Sequence, residues 1–209
     1  MKLIELTVRD YLNMLSSSEH AAPGGGSASA LMGAQGAGLT SMVCGFTLGK
    51  KKYAEHEDLC RDVMGKSAEL KDKLMELIDR DTEAFNSVTA VFAMPKDTEE
   101  EKDMRKLAMQ AALKSCTVTP YETMEYAAQG LRLAHSVAGK SNQTAASDLG
   151  VAALNLKSAL LGAWLNVRIN LGSIQDEAFA REYRDKGEAL IAEVLPLADE
   201  VYRITEQLI

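Results

Sequence analysis

Leu70-Lys71-Asp72-Lys73-Leu74-Met75-Glu76-Leu77-Ile78-Asp79-Arg80-Asp81-Thr82-Glu83-Ala84-Phe85 decides the fold. Leu70, Leu74, Leu77, Asp81, Phe85, Val88 and Phe92 follow one another at steps of three and four, which places them on one face of a helix. The amphipathic pattern extends from about Glu55 to Phe92 and stops before Pro95. An unbroken helix of that length spans roughly 57 Å at 1.5 Å per residue. Asp81 stands where the stripe calls for an apolar side chain. A buried carboxylate costs several kcal/mol unless it is paired or hydrogen-bonded. Two readings follow: a carboxylate in a pocket that moves protons or stabilises a cation, or a structural ion pair with a Lys or Arg of a neighbouring helix. Asp79 and Glu83, two positions either side, are expected to face solvent. Asp79–Glu83 is no calcium loop, since the glycine and the distal glutamate are missing.

Upstream, Pro23-Gly24-Gly25-Gly26-Ser27 opens a stretch without charge that Lys50-Lys51-Lys52-Tyr53 closes. Eight of the fifteen glycines lie between Gly24 and Gly49. Glycine inside a helix costs roughly 1 kcal/mol relative to alanine. Its compensating use is close approach of backbone to a partner, either another helix or a ligand. The segment reads as a glycine loop followed by a thin helix from about Ser27, as N-cap, to Gly49. Ser27, Ser29, Gln35, Thr40, Ser41 and Thr47 argue against a membrane span. Gly45–Lys51 is one residue short of a phosphate loop and lacks its Ser/Thr.

The 209 residues are 46 % hydrophobic and only 5 % aromatic, with Leu, Ala, Met, Glu and Lys prominent, which favours helix over strand. A formal net charge of −7 excludes nucleic acid as the expected partner and leaves Lys50–Lys52 as the conspicuous basic run. Cys44, Cys60 and Cys116 give no disulfide framework, and His20, His56 and His135 show no ligand spacing, so no metal is expected. The N-terminus lacks the apolar core of a signal peptide, which makes cytoplasm the expectation.

Thr7-Val8-Arg9-Asp10 starts a short helix to about Ser17. Thr98, with Glu99–Glu101 in the first turn, caps another. Thr119-Pro120-Tyr121-Glu122 reads as a further helix start, with proline at the first position. Gly139–Thr144 is a connector, and Ser147 or Asp148 begins the next helix. Leu165–Leu171 could be argued as a strand, but the 3.6 period running into it favours helix. The last helix runs from about Ser173 to the end, with Pro196 expected to kink it. Its seam of Leu190, Val194, Leu197, Val201, Ile204 and Leu208 suits a partner helix, intramolecular or from another subunit. No repeat or linker interrupts the chain, so residues 1–209 form one all-α domain, a bundle of long amphipathic helices.

A second polar line falls in the penultimate helix: Asp148, Ala152, Asn155, Ala159, Gly162, Asn166 and Asn170 share a face. A face of amides and small residues suits a groove for a flat, hydrogen-bonding heterocycle. Cover by a neighbouring helix or by water is the plainer reading.

Three of these segments together resemble the folate cyclodeaminase/cyclohydrolase family, found as the C-terminal domain of formiminotransferase-cyclodeaminase and as stand-alone methenyltetrahydrofolate cyclohydrolase. They are Pro23–Ser27 with the run to Tyr53, Asp81-Thr82-Glu83-Ala84-Phe85, and Ser147-Asp148-Leu149 with Asn166-Val167-Arg168-Ile169-Asn170-Leu171. The resemblance implies an all-helical homodimer acting on a tetrahydrofolate derivative, with or without a polyglutamate tail, and with no further cofactor. It implies that Asp81 is catalytic. Gly24, Gly25, Gly26 and Ser27 are then expected at the pterin, Lys50 and Lys52 at the glutamate tail, and Asp148, Asn166 and Asn170 at the ring. Asn142 departs from the family pattern and receives no role. With no formiminotransferase domain in these residues, cyclohydrolase is the first expectation. Cyclodeaminase is the second, and a non-catalytic folate-binding module the third.

Overall fold

The computed structural model describes residues 2–19 and 21–209; Met1 and His20, the latter among the histidines weighed for a metal, lie outside the described residues. The described residues form six α-helices: α1 (Val8–Leu15), α2 (Gly25–Gly45), α3 (Glu57–Phe92), α4 (Glu99–Val137), α5 (Ala146–Leu171) and α6 (Glu177–Leu208). Short 3-10 turns at Leu3–Glu5, Lys51–His56 and Gln143–Ala145 lead into α1, α3 and α5. There is no strand among the described residues, and Leu165–Leu171 is helical as its period required.

The glycine-rich α2 is the centre of the bundle, packed between α3 and α5 and touching α4. Ser27 meets Asp81 and Ser41 meets Met64, so α2 runs antiparallel to α3. A Cβ on Gly36 would stand 2.6 Å from Leu156 Cγ and 2.8 Å from the Ala152 carbonyl oxygen, so only glycine lets α5 come this close. The body of α2 is therefore thin for helix packing, and only its first turn has another use.

Several boundaries differ from those expected. α2 begins at Gly25 with Gly24 as N-cap, so Ser27 lies inside the first turn, and the helix ends at Gly45. Ser27 is drawn inward because its hydroxyl finds partners on α3. α4 does not restart at Thr119: it passes unbroken through Pro120. A mid-helix proline orphans the carbonyl four residues earlier. Here that is Cys116, and Asn170 Nδ2 of α5 donates to it at 2.7 Å. α6 starts at Glu177, later than expected, with Asp176 accepting from the Phe179 N–H. Its seam points inward: Val194 and Val201 are fully buried against the core that α4 and α5 share, so the partner is intramolecular. Thr98 and Glu101 form the reciprocal cap of α4, and Thr7 caps α1.

The stripe on α3 holds through Leu70, Leu74, Leu77 and Ile78, all buried. Beyond Asp81 it leaves the core, with Phe85 39 % and Phe92 63 % exposed. The reason is length: the antiparallel α2 starts opposite Asp81 and has nothing left to lay over the last turns of α3. Asp79 does not face solvent freely, because it is half-buried and accepts from the Leu3 N–H. Glu83 is exposed.

Candidate active site

The first turn of α2 abuts α3 at Asp81. The Ser27 N–H donates to Asp81 Oδ2 at 2.8 Å, and the Ser27 hydroxyl lies 3.0 Å from the same oxygen. The Ser27 hydroxyl is also 3.0 Å from the Ile78 carbonyl and 3.2 Å from Thr82 Oγ1, which fixes its position. The N-terminal end of α2 adds the positive pole of its dipole. Oδ1 accepts no hydrogen bond among the described residues and lies over Gly26, where a Cβ would come within 2.0 Å of it. The carboxylate is thus clamped by one oxygen and open at the other.

No basic side chain pairs with Asp81 among the described residues, and the neighbouring Arg80 is bidentate on Glu122 at 2.6 and 3.2 Å. The ion-pair reading of Asp81 is therefore set aside. Burial pushes its carboxyl above the ordinary aspartate range, and the two Ser27 bonds only partly offset this. Beside it opens a cavity of about 390 Å³, with Gly24, Gly25 and Gly26 on one side, Phe85 and Val88 on a second, and Asn166 and Asn170 on a third.

Both asparagines are oriented by backbone carbonyls. Asn166 Nδ2 donates to the Gly162 carbonyl at 2.9 Å. Asn170 Nδ2 donates to the carbonyls of Cys116 and Asn166, which uses both of its N–H groups. Each amide keeps its oxygen without a partner among the described residues, so what they offer a ligand is acceptance from ring N–H donors. The cavity also carries Cys116, Leu113, Ile169 and Ser173, which sequence reasoning missed. The Cys116 thiol is pushed up to about 11, by burial first and by the Asp81 charge second, so it stays protonated at neutral pH and is no nucleophile. Tyr11, on α1, is buried with its hydroxyl unpartnered; burial, then the Asp81 charge, raises its pKa. A signal for Cys116 did exist: Pro120, four residues on, marks its carbonyl as orphaned.

Three expected site residues are not at this cavity within one chain. Lys50 and Lys52 follow the other end of α2, twenty residues and about 30 Å of helix from Gly25. Lys52 Nζ sits 3.5 Å from Gln143 Oε1 and over the Tyr53 ring. Asp148, half-buried in the first turn of α5, is about 27 Å along that helix from Asn166. Asn142 is structural: its side chain donates to the Phe46 carbonyl and accepts from the Thr144 N–H and hydroxyl, tying the connector to the end of α2. No cluster of three or more His, Cys, Asp or Glu could hold a metal, and no helix is long and apolar enough to cross a membrane, among the described residues.

Known proteins match almost the whole chain. The family profile described as formiminotransferase-cyclodeaminase matches residues 7–189. A methenyltetrahydrofolate cyclohydrolase of Methylorubrum extorquens is 41 % identical over 196 residues, covering 94 % of each chain. A formimidoyltransferase-cyclodeaminase of Sus scrofa is 35 % identical over 176 residues, 84 % of this chain but 32 % of that longer protein. A solved formiminotetrahydrofolate cyclodeaminase of Thermotoga maritima superposes with a TM-score of 0.88 at 26 % identity, covering 99 % of both chains.

Proposed function

From the premise that the chain belongs to the formiminotransferase-cyclodeaminase family, we propose that it is a methenyltetrahydrofolate cyclohydrolase, converting 5,10-methenyltetrahydrofolate to 10-formyltetrahydrofolate. The observation that carries the reading is a half-buried carboxyl with one oxygen clamped, the other open to a cavity, and no cation among the described residues to neutralise it. The substrate supplies that cation. Its N5–C–N10 bridge is an amidinium, and the open oxygen of Asp81 stabilises it electrostatically.

Water adds to the bridge carbon, and Asp81 takes one of its protons. The hydroxylated adduct then collapses: the bond from carbon to N5 breaks, Asp81 returns its proton to N5, and the hydroxyl proton leaves to solvent as the C=O forms on N10. The positive charge of the substrate departs as that proton, so atoms and charge balance. A carboxyl raised by burial suits both halves, since it is a better acceptor when ionised and still a competent donor when protonated. Gly24–Gly26 admit the pterin against backbone, and the free amide oxygens of Asn166 and Asn170 accept from its N–H groups. Lys50, Lys52 and Asp148 enter this scheme only as residues of a second copy, because their own cavity is out of reach.

Cyclodeamination is the second reading, favoured by the near-complete superposition on a protein of that name. There N10 attacks an N5-formimino carbon, and the same carboxyl protonates the departing ammonia. We take the compartment to be the cytoplasm, and the working form to be a homodimer because Phe92, Leu107, Leu165 and Ile169 expose large apolar surface at the cavity end; light scattering checks the dimer. Purified protein should discharge the absorbance of the methenyl substrate. D81N should lower turnover by about 10²–10⁴ with an unchanged helical CD spectrum. Retention of wild-type turnover by D81N removes the assignment of Asp81.

A further inference from the structure

We infer that the glutamate tail of the folate substrate docks in a basic cleft over the first turns of α4, formed by Lys96, Lys102, Arg105 and Lys106. The inference rests on the folate reading above and deepens it. The cleft is about 450 Å³ in volume, and its remaining walls are Met109, Gln110 and Gln175. Among the described residues no acidic side chain lines it, although the chain carries a net charge of −7. Such a local reversal of sign concentrates anions where the global field repels them.

The cleft adjoins the Asp81 cavity. Gln110 Nε2 donates to the Ser173 carbonyl at 3.1 Å, and the Gln175 N–H donates to Gln110 Oε1 at 2.8 Å. Gln110 and Gln175 line the cleft, while Ser173 and Leu113, one turn further along α4, line the cavity. A pterin seated against Asp81 and the asparagines therefore directs its benzoyl-glutamate arm past Leu113 towards the cations. The competing lysine run, Lys50–Lys52, lies about 30 Å along α2 from the glycines.

The cations are available. Lys96 and Lys106 form no ion pair among the described residues. Arg105 gives one N–H to the Phe92 carbonyl at 3.4 Å, which orients the guanidinium and leaves its other donors for a carboxylate. Lys102 alone is paired, with Glu99 at 2.6 Å on an exposed face. Of the nearest acids, Glu101 accepts from the Asp97 and Thr98 N–H groups, and Asp103 lines an adjoining depression that shares Lys106, Gln110 and Gln175 with the cleft but does not line the cleft itself. Each γ-linked glutamate adds one carboxylate at the reach of the next cation, so the cleft discriminates by tail length. An exposed contact is worth about two- to fivefold in affinity, and the effect accumulates with contacts.

The test is steady-state kinetics with mono- and triglutamyl methenyltetrahydrofolate on wild type, K96Q/R105Q/K106Q and K50Q/K52Q. The triple variant should raise KM for the triglutamate about tenfold and for the monoglutamate about twofold. Salt at about 0.3 M should close the gap between the two substrates for wild type. R105K/K106R should restore most of the loss, which a folding defect could not do. Equal shifts for both substrates, no shift, or a tail-dependent shift produced by K50Q/K52Q instead overturns the inference and leaves the enzyme intact. A wild type that turns over neither substrate overturns the folate reading itself.

Discussion

Gly26→Ala is the sharpest perturbation the structure offers, because the added methyl meets the reacting group itself. Its Cβ would stand 2.0 Å from Asp81 Oδ1, 2.5 Å from Cγ and 2.6 Å from Oδ2. Ordinary contact begins near 3.4 Å, so the carboxylate must retreat by about 1.4 Å. Retreat breaks or stretches both Ser27 bonds to Oδ2, each a charge-assisted contact worth about 1.5–3 kcal/mol. The gain in helix propensity, about 1 kcal/mol at most, does not offset that. Net destabilisation of about 1–3 kcal/mol follows, a fall in Tm of a few degrees for a domain of this size. A misplacement of this order also costs about 10²-fold in rate.

The three consecutive glycines should separate cleanly. A Cβ on Gly25 meets Asn166 Nδ2 at 3.2 Å, which the amide can relieve by a small shift, and one on Gly24 meets nothing within 4 Å. Turnover of the methenyl substrate, read by absorbance, should therefore fall least for G24A, modestly for G25A and about 10²-fold for G26A. Thermal melts of G26A in a D81A background complete the cycle: with no carboxylate to strike, the substitution should cost close to nothing. An undiminished cost of G26A in D81A, or wild-type turnover by G26A alone, refutes the collision as the cause.

Two further outcomes follow from the same contacts. Since burial raises the Asp81 carboxyl above its unfolded value, the folded state binds the proton more tightly, and its contribution to stability is lost as pH rises through the folded pKa. D81N, inactive, should melt higher than wild type at pH 7 by roughly 2–4 °C per kcal/mol recovered, and the difference should vanish below the ordinary aspartate pKa of about 3.9; a D81N that melts lower at pH 7 contradicts the desolvation argument. N170L leaves the Cys116 carbonyl unpaired at a cost of about 1–3 kcal/mol. P120A returns a backbone donor to that carbonyl, so denaturant melts should show a smaller cost of N170L in P120A than in wild type.

Periodicity made the fold legible because a 3.6 repeat sustained over α3 admits little else, and Thr98 with Glu101 announced its cap through purely local chemistry. It also found Asp81, the one carboxylate on an apolar stripe. What periodicity gives, however, is direction around a helix and not position along it. Asn166 and Asn170 share a face with Asp148, and all three read alike; only the first two reach the cavity, because the face is a line about 27 Å long between Asp148 and Asn166. The resemblance sets Lys50 and Lys52 at the glutamate tail of a ligand held by the glycines, and the 21 residues of α2 separate the two ends. Pro120 reads as a beginning because its continuation depends on Asn170, a donor 54 residues from the Cys116 carbonyl it satisfies, which no local pattern contains.

Ser27 shows the same limit from the opposite side. As a serine after glycines and before an apolar run it has every local mark of an N-cap, yet the helix starts two residues earlier. An N-cap serine turns its oxygen back onto its own helix. Ser27 turns outward to Oδ2 of Asp81 and to the Ile78 carbonyl, leaving the first turn of α2 capped by Gly24 without a side chain. The helix gives up a local cap, and the acid is held by a backbone N–H at the positive end of that helix with its second oxygen free. Gly26 completes the arrangement by being the residue with nothing to push that oxygen away. The glycine run is thus two devices joined: small residues that let α5 close on α2, and one missing Cβ that gives a half-buried carboxylate its working side.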